Sequence, residues 1–233
     1  MRIVCISDTH TLQKGMKHSI PFGDVLLHAG DVMDSGYDPQ DIWYFVNWFG
    51  ELPHKHKIFI AGNHDRWFEN RPEHAKQFVD DKNKELVERG LPPITYLFDE
   101  EIVIDGLKFY GSPWQPEFCN WAFNLYRGPD LQQVWAKIPD DTDVLITHGP
   151  PMGILDFTEY DKESVGCEML MERINKVKPM LHLFGHIHEA YGVEEKDGTI
   201  FCNASICTLR YHPINKPFVF DFDPITGALK SVE

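Results

Sequence analysis

The chain has 233 residues, 42% of them hydrophobic and 25% charged, the balance of a globular protein. No stretch approaches the ~18 consecutive apolar residues of a transmembrane helix, so no membrane span is expected. A formal net charge of −14, from 22 Lys and Arg against 36 Asp and Glu, argues against a long nucleic acid as ligand, since such binders neutralise many phosphates.

Short apolar runs alternate with helical stretches along the chain. Residues 3–6, 25–27, 58–60, 144–146 and 180–184 each read as a buried strand closed by a turn. Residues 39–49 read as a helix, with Ile42, Phe45, Val46 and Phe49 at three- and four-residue spacing. Residues 73–89 form a polar, exposed helix and 131–137 a short one. Residues 163–177 carry the stripe Met169, Leu170, Ile174 and Val177, ended by Pro179. Asp105-Gly106 between 102–104 and 107–110 marks a hairpin, and Asp197-Gly198 within 193–202 marks another. Residues 218–222 read as the last strand. The expected fold class is α/β in four layers: two packed mixed sheets flanked by helices, in one domain over 1–233.

The five cysteines, Cys5, Cys119, Cys167, Cys202 and Cys207, are odd in number and lack a CxxC. Reduced thiols in the cytoplasm are the expectation. Met1-Arg2-Ile3 leads straight into the first strand, which leaves no room for a cleavable signal peptide.

Each of the five runs ends on potential metal ligands: Asp8-Thr9-His10, Gly30-Asp31, Gly62-Asn63-His64-Asp65, Thr147-His148 and Gly185-His186-Ile187-His188. Open α/β sheets bind ligands beyond the carboxyl ends of their strands, so the clusters should converge. Asp8, His10, Asp31, Asn63, His148, His186 and His188 supply oxygen and imidazole donors for hard or borderline divalent ions. Seven groups exceed one tetrahedral ion and suit two ions if one carboxylate bridges. No thiolate is among them, which argues against structural zinc. Asp8 and His10, and likewise His186 and His188, sit two apart and would point the same way from an extended chain. The glycines before Asp31, Asn63 and His186 allow tight turns and close backbone approach.

DxH, GD, GNHD, TH and GHxH in that order resemble the calcineurin-like metallophosphoesterase superfamily. The segments Gly111-Ser112-Pro113-Trp114-Gln115-Pro116, Trp121-Ala122-Phe123-Asn124, Thr147-His148-Gly149-Pro150-Pro151 and Asn203-Ala204-Ser205 look like its metallophosphoesterase-domain-containing branch. That group is associated with cyclic-nucleotide phosphodiesterase activity. The resemblance implies that Asp8, His10, Asp31 and His188 hold one ion, and that Asp31, Asn63, His148 and His186 hold the other. It further implies that His64 faces the substrate as general acid, oriented by Asp65. Mn²⁺, Fe and Zn²⁺ all suit these ligands. His28, which ends its strand, is a candidate for hydrogen bonding to a ligand.

Seven aromatics fall between Phe109 and Tyr126. Part of them would form a small core, and the rest a wall for a nucleobase, with Trp114, Trp121 and Asn124 in it. Arg127 and Arg210 are candidate phosphate contacts by charge alone. The favoured function is a phosphodiesterase for small substrates, with 3′,5′-cyclic AMP or GMP as the nucleotide case. A phosphomonoesterase or protein phosphatase on the same scaffold is the alternative, and a metal-binding scaffold with little turnover a third.

Overall fold

Strands with no polar alternation must be covered on both faces, and the central strands here are. The computed structural model describes residues 1–232. In the first sheet β1 (Arg2–Ile6), β2 (Val25–His28), β3 (His56–Phe59) and β4 (Ile94–Tyr96) run parallel. The second sheet begins with the hairpin β5 (Glu100–Ile104) and β6 (Leu107–Ser112). Two short pieces, β7 (Gln115–Pro116) and β8 (Asn124–Leu125), pair beside the sheets. β9 (Val144–Thr147) then joins the second sheet, while β10 (Phe157–Thr158) and β11 (Glu163–Ser164) form a small separate hairpin. β12 (Leu181–Phe184), β13 (Gly192–Lys196) and β14 (Thr199–Asn203) complete the second sheet, in the order β13-β14-β12-β9-β6-β5. β15 (Phe218–Asp223) returns to pair antiparallel with β1, and β16 (Ala228–Val232) pairs with β15.

The two sheets pack face to face through one apolar layer. Ile3, Cys5, Leu27 and Ile58 of the first meet Phe109, Ile146 and Leu183 of the second. The opposite face of the first sheet, with Val4, Leu26 and Phe59, is covered by α1 (Gln40–Gly50), α2 (Arg66–Asn70) and α3 (Pro72–Glu88). The outer face of the second, with Tyr110, Leu145 and Phe184, is covered by α4 (Pro129–Trp135) and α5 (Glu168–Val177). The four expected layers are therefore present. Both Asp-Gly hairpin turns also form, with φ positive at Asp105, Gly106, Asp197 and Gly198.

Several elements differ from expectation. α5 starts at Glu168, because Glu163 and Ser164 pair with Thr158 and Phe157. The buried Asp156 carboxylate holds that turn by accepting from Gly153 N and Gly166 N. α3 is not wholly exposed, since Ala75, Val79 and Leu86 pack against the sheet. The chain also continues past residue 222 into β16, whose residues are half-buried or exposed and carry no apolar run.

This topology positions the site. The carboxyl ends of β1, β2, β3, β9, β12 and β14 face one region. An isolated parallel bridge between Ser7 and Ser205 ties the two sheets together there.

Candidate metal centre

All five clusters meet at the seam between the sheets. Three sets of donors, Asp8 with His10 and His188, His10 with Asp31 and His64, and Asp8 with Asp31 and His148, each lie within 4.8 Å of one another. Asp31 Oδ2 stands 3.6 Å from His10 Nε2 and 3.4 Å from His148 Nε2. His188 Nε2 is 3.3 Å from both Asp8 Oδ1 and His10 Nε2. Asn63 Oδ1 is 2.8 Å from His148 Nε2 and from His186 Nδ1. An ion with ~2.1 Å bonds would hold neighbouring ligand atoms roughly 3.0–3.4 Å apart, close to the 3.3–3.6 Å spacings around Asp8, Asp31, His10, His148 and His188, while the 2.8 Å contacts of Asn63 Oδ1 are of hydrogen-bond length. The residues fit divalent ions in chemistry and in spacing. All seven expected ligands are brought together, and Asp31 stands between the two groups.

Three of the histidine rings are fixed by backbone carbonyls. His10 Nδ1–H donates to Met33 O, His148 Nδ1–H to Ala29 O and His188 Nδ1–H to Thr208 O. Each ring thereby turns Nε2 to the centre. The backbone is not extended at these motifs: φ is +53° at Asp8, +42° at His10, +57° at Asp31 and +67° at His186. The two-residue spacing therefore acts through left-handed turns beyond the strand ends, at a strain of ~1 kcal/mol or more each. Close approach explains two of the glycines. A Cβ on Gly185 would lie 1.9 Å from Asp8 Oδ2, and one on Gly62 2.3 Å from Asp31 Oδ1.

Several supporting residues are not among the expected site residues. Ser205 Oγ donates to Asp8 Oδ2, and Asn203 Nδ2 to Ile187 O. They follow β14, a sixth strand end, and the strand-end rule that finds the other five would have found them. Gly30 N donates to His28 Nδ1, so His28 Nε2–H serves Thr9 Oγ1, between the candidate ligands Asp8 and His10 rather than on one. His182 Nε2–H serves Thr147 Oγ1, which donates in turn to Gly149 O. Tyr211 sets its ring 4.9 Å from that of His10 and 5.4 Å from that of His188.

Other expected site residues are placed differently. The carboxylate of Asp65 accepts from the backbone amides of Asp31, Val32, Met33 and Gly62, so it clamps the ligand loops instead of orienting His64. His64 is oriented through Nδ1–H to Asp34 O. Trp114 packs into the core and donates from Nε1 to Asp99. Asn124 closes its own loop through Phe118 and Cys119. Trp121 stacks on His64, with ring centroids 4.1 Å apart and planes 20° apart. A cleft of about 790 Å³ opens over Asp31, Asn63, His64, His186 and His188. Arg127 lines it, but its guanidinium is engaged by Val165 O, Gly166 O and Glu168, and Arg210 is not among the lining residues. Of the seven aromatics, Phe109, Tyr110 and Phe123 are core and Phe118 lines the cleft.

Burial pushes His10 down to about 4, and His28, His182 and His186 down to about 3. Burial acts the same way on His148, but the carboxylates of Asp31 and Asp8 outweigh it and lift His148 to about 9. Asp65 rises to about 7, through burial first and repulsion from Asp31 second. In metal-free protein the four depressed histidines bind fewer protons folded than unfolded, so stability climbs as pH rises from about 3 to 6.5. Asp65 and His148 bind more protons folded, and their contribution is lost as pH rises through about 7 and about 9. Below 6.5 the four histidines outweigh Asp65, and above it only the decline acts. The chelated protein should therefore melt highest near neutral pH, and bound ions should reduce the alkaline decline by holding His148 unprotonated and so removing its share. Melting curves from pH 5 to 9, with and without chelator, check this. A steady rise in Tm above pH 7 in chelator would contradict it.

A buried two-cluster site of oxygen and imidazole donors between two mixed sheets defines a metallophosphoesterase-type centre. The chain belongs to the calcineurin-like phosphoesterase family, whose model matches residues 1–190. It is 43% identical to metallophosphoesterase domain-containing protein 1 of Homo sapiens over 234 residues, 94% of this chain and 70% of that protein. It is 38% identical to the Caenorhabditis elegans protein UPF0046 protein C25E10.12, over 99% of this chain and 84% of that one. Among solved structures, phosphopantetheinyl hydrolase (PptH) from Mycobacterium tuberculosis has the same fold. Its TM-score is 0.61 at 16% identity, over 99% of this chain and 95% of that one.

Proposed function

We propose that the protein is a cytoplasmic two-metal phosphodiesterase for small diesters, with His64 as general acid. Asp8, His10, Asp31 and His188 would hold one divalent ion, and Asp31, Asn63, His148 and His186 the other, as Mn²⁺, Fe or Zn²⁺. The chemistry supplied by bound ions is charge neutralisation at the phosphate and a water acidified toward neutral pH. The observation that carries the reading is His64: it lines the cleft beside Asp31 and Asn63, with Nδ1 committed to Asp34 O and Nε2 left for the departing alkoxide.

The rest of the cleft favours diesters over monoesters. Glu117, Asp161, Glu163 and Glu189 line it, while its one arginine, Arg127, is already engaged. A dianionic monoester meets more repulsion there than a singly charged diester. Cyclic AMP and GMP suit the volume, which lies within the usual range for small-ligand pockets. Phe118, Tyr160 and Tyr211 offer ring faces for a base, in place of Trp114 and Trp121.

With Mn²⁺ supplied, bis-p-nitrophenyl phosphate should be hydrolysed with higher kcat/KM than p-nitrophenyl phosphate, and cyclic nucleotides should compete with it. The reverse order of the two esters would replace the diesterase reading by a monoesterase.

A further inference from the structure

We infer that Trp121, backed by Arg66, is a positioning residue that holds the imidazole plane of His64. The inference rests on the reading of His64 as general acid. The hydrogen bond from His64 Nδ1–H to Asp34 O selects the tautomer, yet a ring held at one atom can still tilt about that bond. Two further contacts remove the tilt. The indole of Trp121 lies nearly parallel to the imidazole, 4.1 Å between centroids, and the ring of His10 meets it edge-on at 4.6 Å. One polar and two ring contacts define a plane, and among the described residues Nε2 has no hydrogen-bond partner, in a residue that lines the cleft.

The indole is itself held. The Arg66 guanidinium carbon lies 4.8 Å from the Trp121 ring centroid and 5.1 Å from that of Tyr37. Arg66 also donates to Asn120 O, and Ala122 N donates to Asn63 O, so the backbone on both sides of Trp121 is tied to the turn that carries His64. Trp67 Nε1 donates to Tyr37 O and fixes the far end of the ladder. The turn that supplies Asp34 O presses directly on His64. A Cβ on Gly36 would lie 2.1 Å from His64 O, and Gly36 has φ +77°.

Core packing does not account for Trp121. Its neighbours Ala122 and Phe123 belong to the apolar core under α2 and α3, and Trp114 packs against that core. Among the described residues, Trp121 is a member of none of the three cores. Its ring is spent on a histidine and an arginine.

The test compares His64→Ala, Trp121→Ala, Trp121→Phe and the His64→Ala/Trp121→Ala double variant, each with metal content measured. Each is assayed on a diester with an alkyl leaving group and on bis-p-nitrophenyl phosphate. Trp121→Ala should lose ~10-fold or more on the alkyl diester, part of the ~10²–10⁴-fold a general acid contributes, and stay within ~2-fold on the nitrophenyl ester. Trp121→Phe should recover most of the loss. The double variant should be no slower on the alkyl diester than His64→Ala alone, because Trp121 acts through His64. Additive losses, or equal losses on both esters, would overturn the positioning role and leave the general acid standing. A His64→Ala protein with no dependence on leaving group would instead remove the general acid, and the positioning role with it. If Trp121→Ala does not fold, Trp121→Leu is read by NMR. The His64 ring protons should lose the upfield shift that a stacked indole imposes, and an unchanged shift would refute the stack.

Discussion

Asp31→Asn should deplete both metal positions of the purified protein. Asp8, His10 and Asp31 each stand in two of the three donor clusters, but it is Asp31 whose Oδ2 lies near a histidine of each proposed group, 3.4 Å from His148 Nε2 and 3.6 Å from His10 Nε2. No other proposed ligand is shared. Its Oδ1 accepts from His64 N, which leaves Oδ2 the less engaged oxygen. Asparagine keeps the shape but removes the charge, and in one orientation offers an NH₂ where an ion needs an acceptor. Loss of an outer hydrogen-bonding partner costs metal sites ~10–100-fold, and a bridging ligand should cost more. The fold should survive, because Asp31 is one of the groups that repel Asp65 in the absence of ions. Elemental analysis beside a thermal melt decides the matter, with Asn63→Ala as the companion that should empty one position and spare the other. Two ions per chain in active Asp31→Asn protein would falsify the bridge.

Much of this centre can be read before any coordinates, and the reason is physical. A strand buried on both faces is a largely apolar run, and the candidate ligands stand two to four residues past the last apolar residue of each run. β1, β2, β3, β9 and β12 all follow that pattern. The conformation of the ligands themselves has no such mark. Positive φ at Asp8, His10, Asp31 and His186 belongs to residues other than glycine, and follows from what the neighbouring strands demand. Side-chain destinations are harder still. Trp114 and Trp121 look alike as aromatics in one loop, yet one ends on Asp99 and the other on His64, 57 residues away along the chain (121 − 64). Half-exposed strands such as β16 leave no apolar run to read.

Asp65 shows how far such a destination changes the expected result. Next to His64 in sequence, it suggests a carboxylate that orients an imidazole. In the fold it is fully buried and accepts from Gly62 N at 2.7 Å, Met33 N at 2.8 Å, Asp31 N at 2.9 Å and Val32 N at 3.3 Å. Those amides come from the two loops that present Asp31 and Asn63. Asp65→Ala would strand four donors at ~1–3 kcal/mol each, less whatever water recovers. A net loss of about 4 kcal/mol is therefore expected, at the exceptional end for one substitution. The ligand loops should part as well, so metal content should fall with stability. Asp65→Asn should be intermediate, since one carbonyl oxygen remains but its NH₂ confronts backbone N–H groups. An orienting role predicts the opposite profile, that of His64→Ala: fold and ions intact, rate lost on poor leaving groups. Urea denaturation and elemental analysis of Asp65→Ala separate the two. A variant that unfolds at the wild-type midpoint and keeps both ions would return Asp65 to His64, and the clamp on the ligand loops would have to be sought elsewhere.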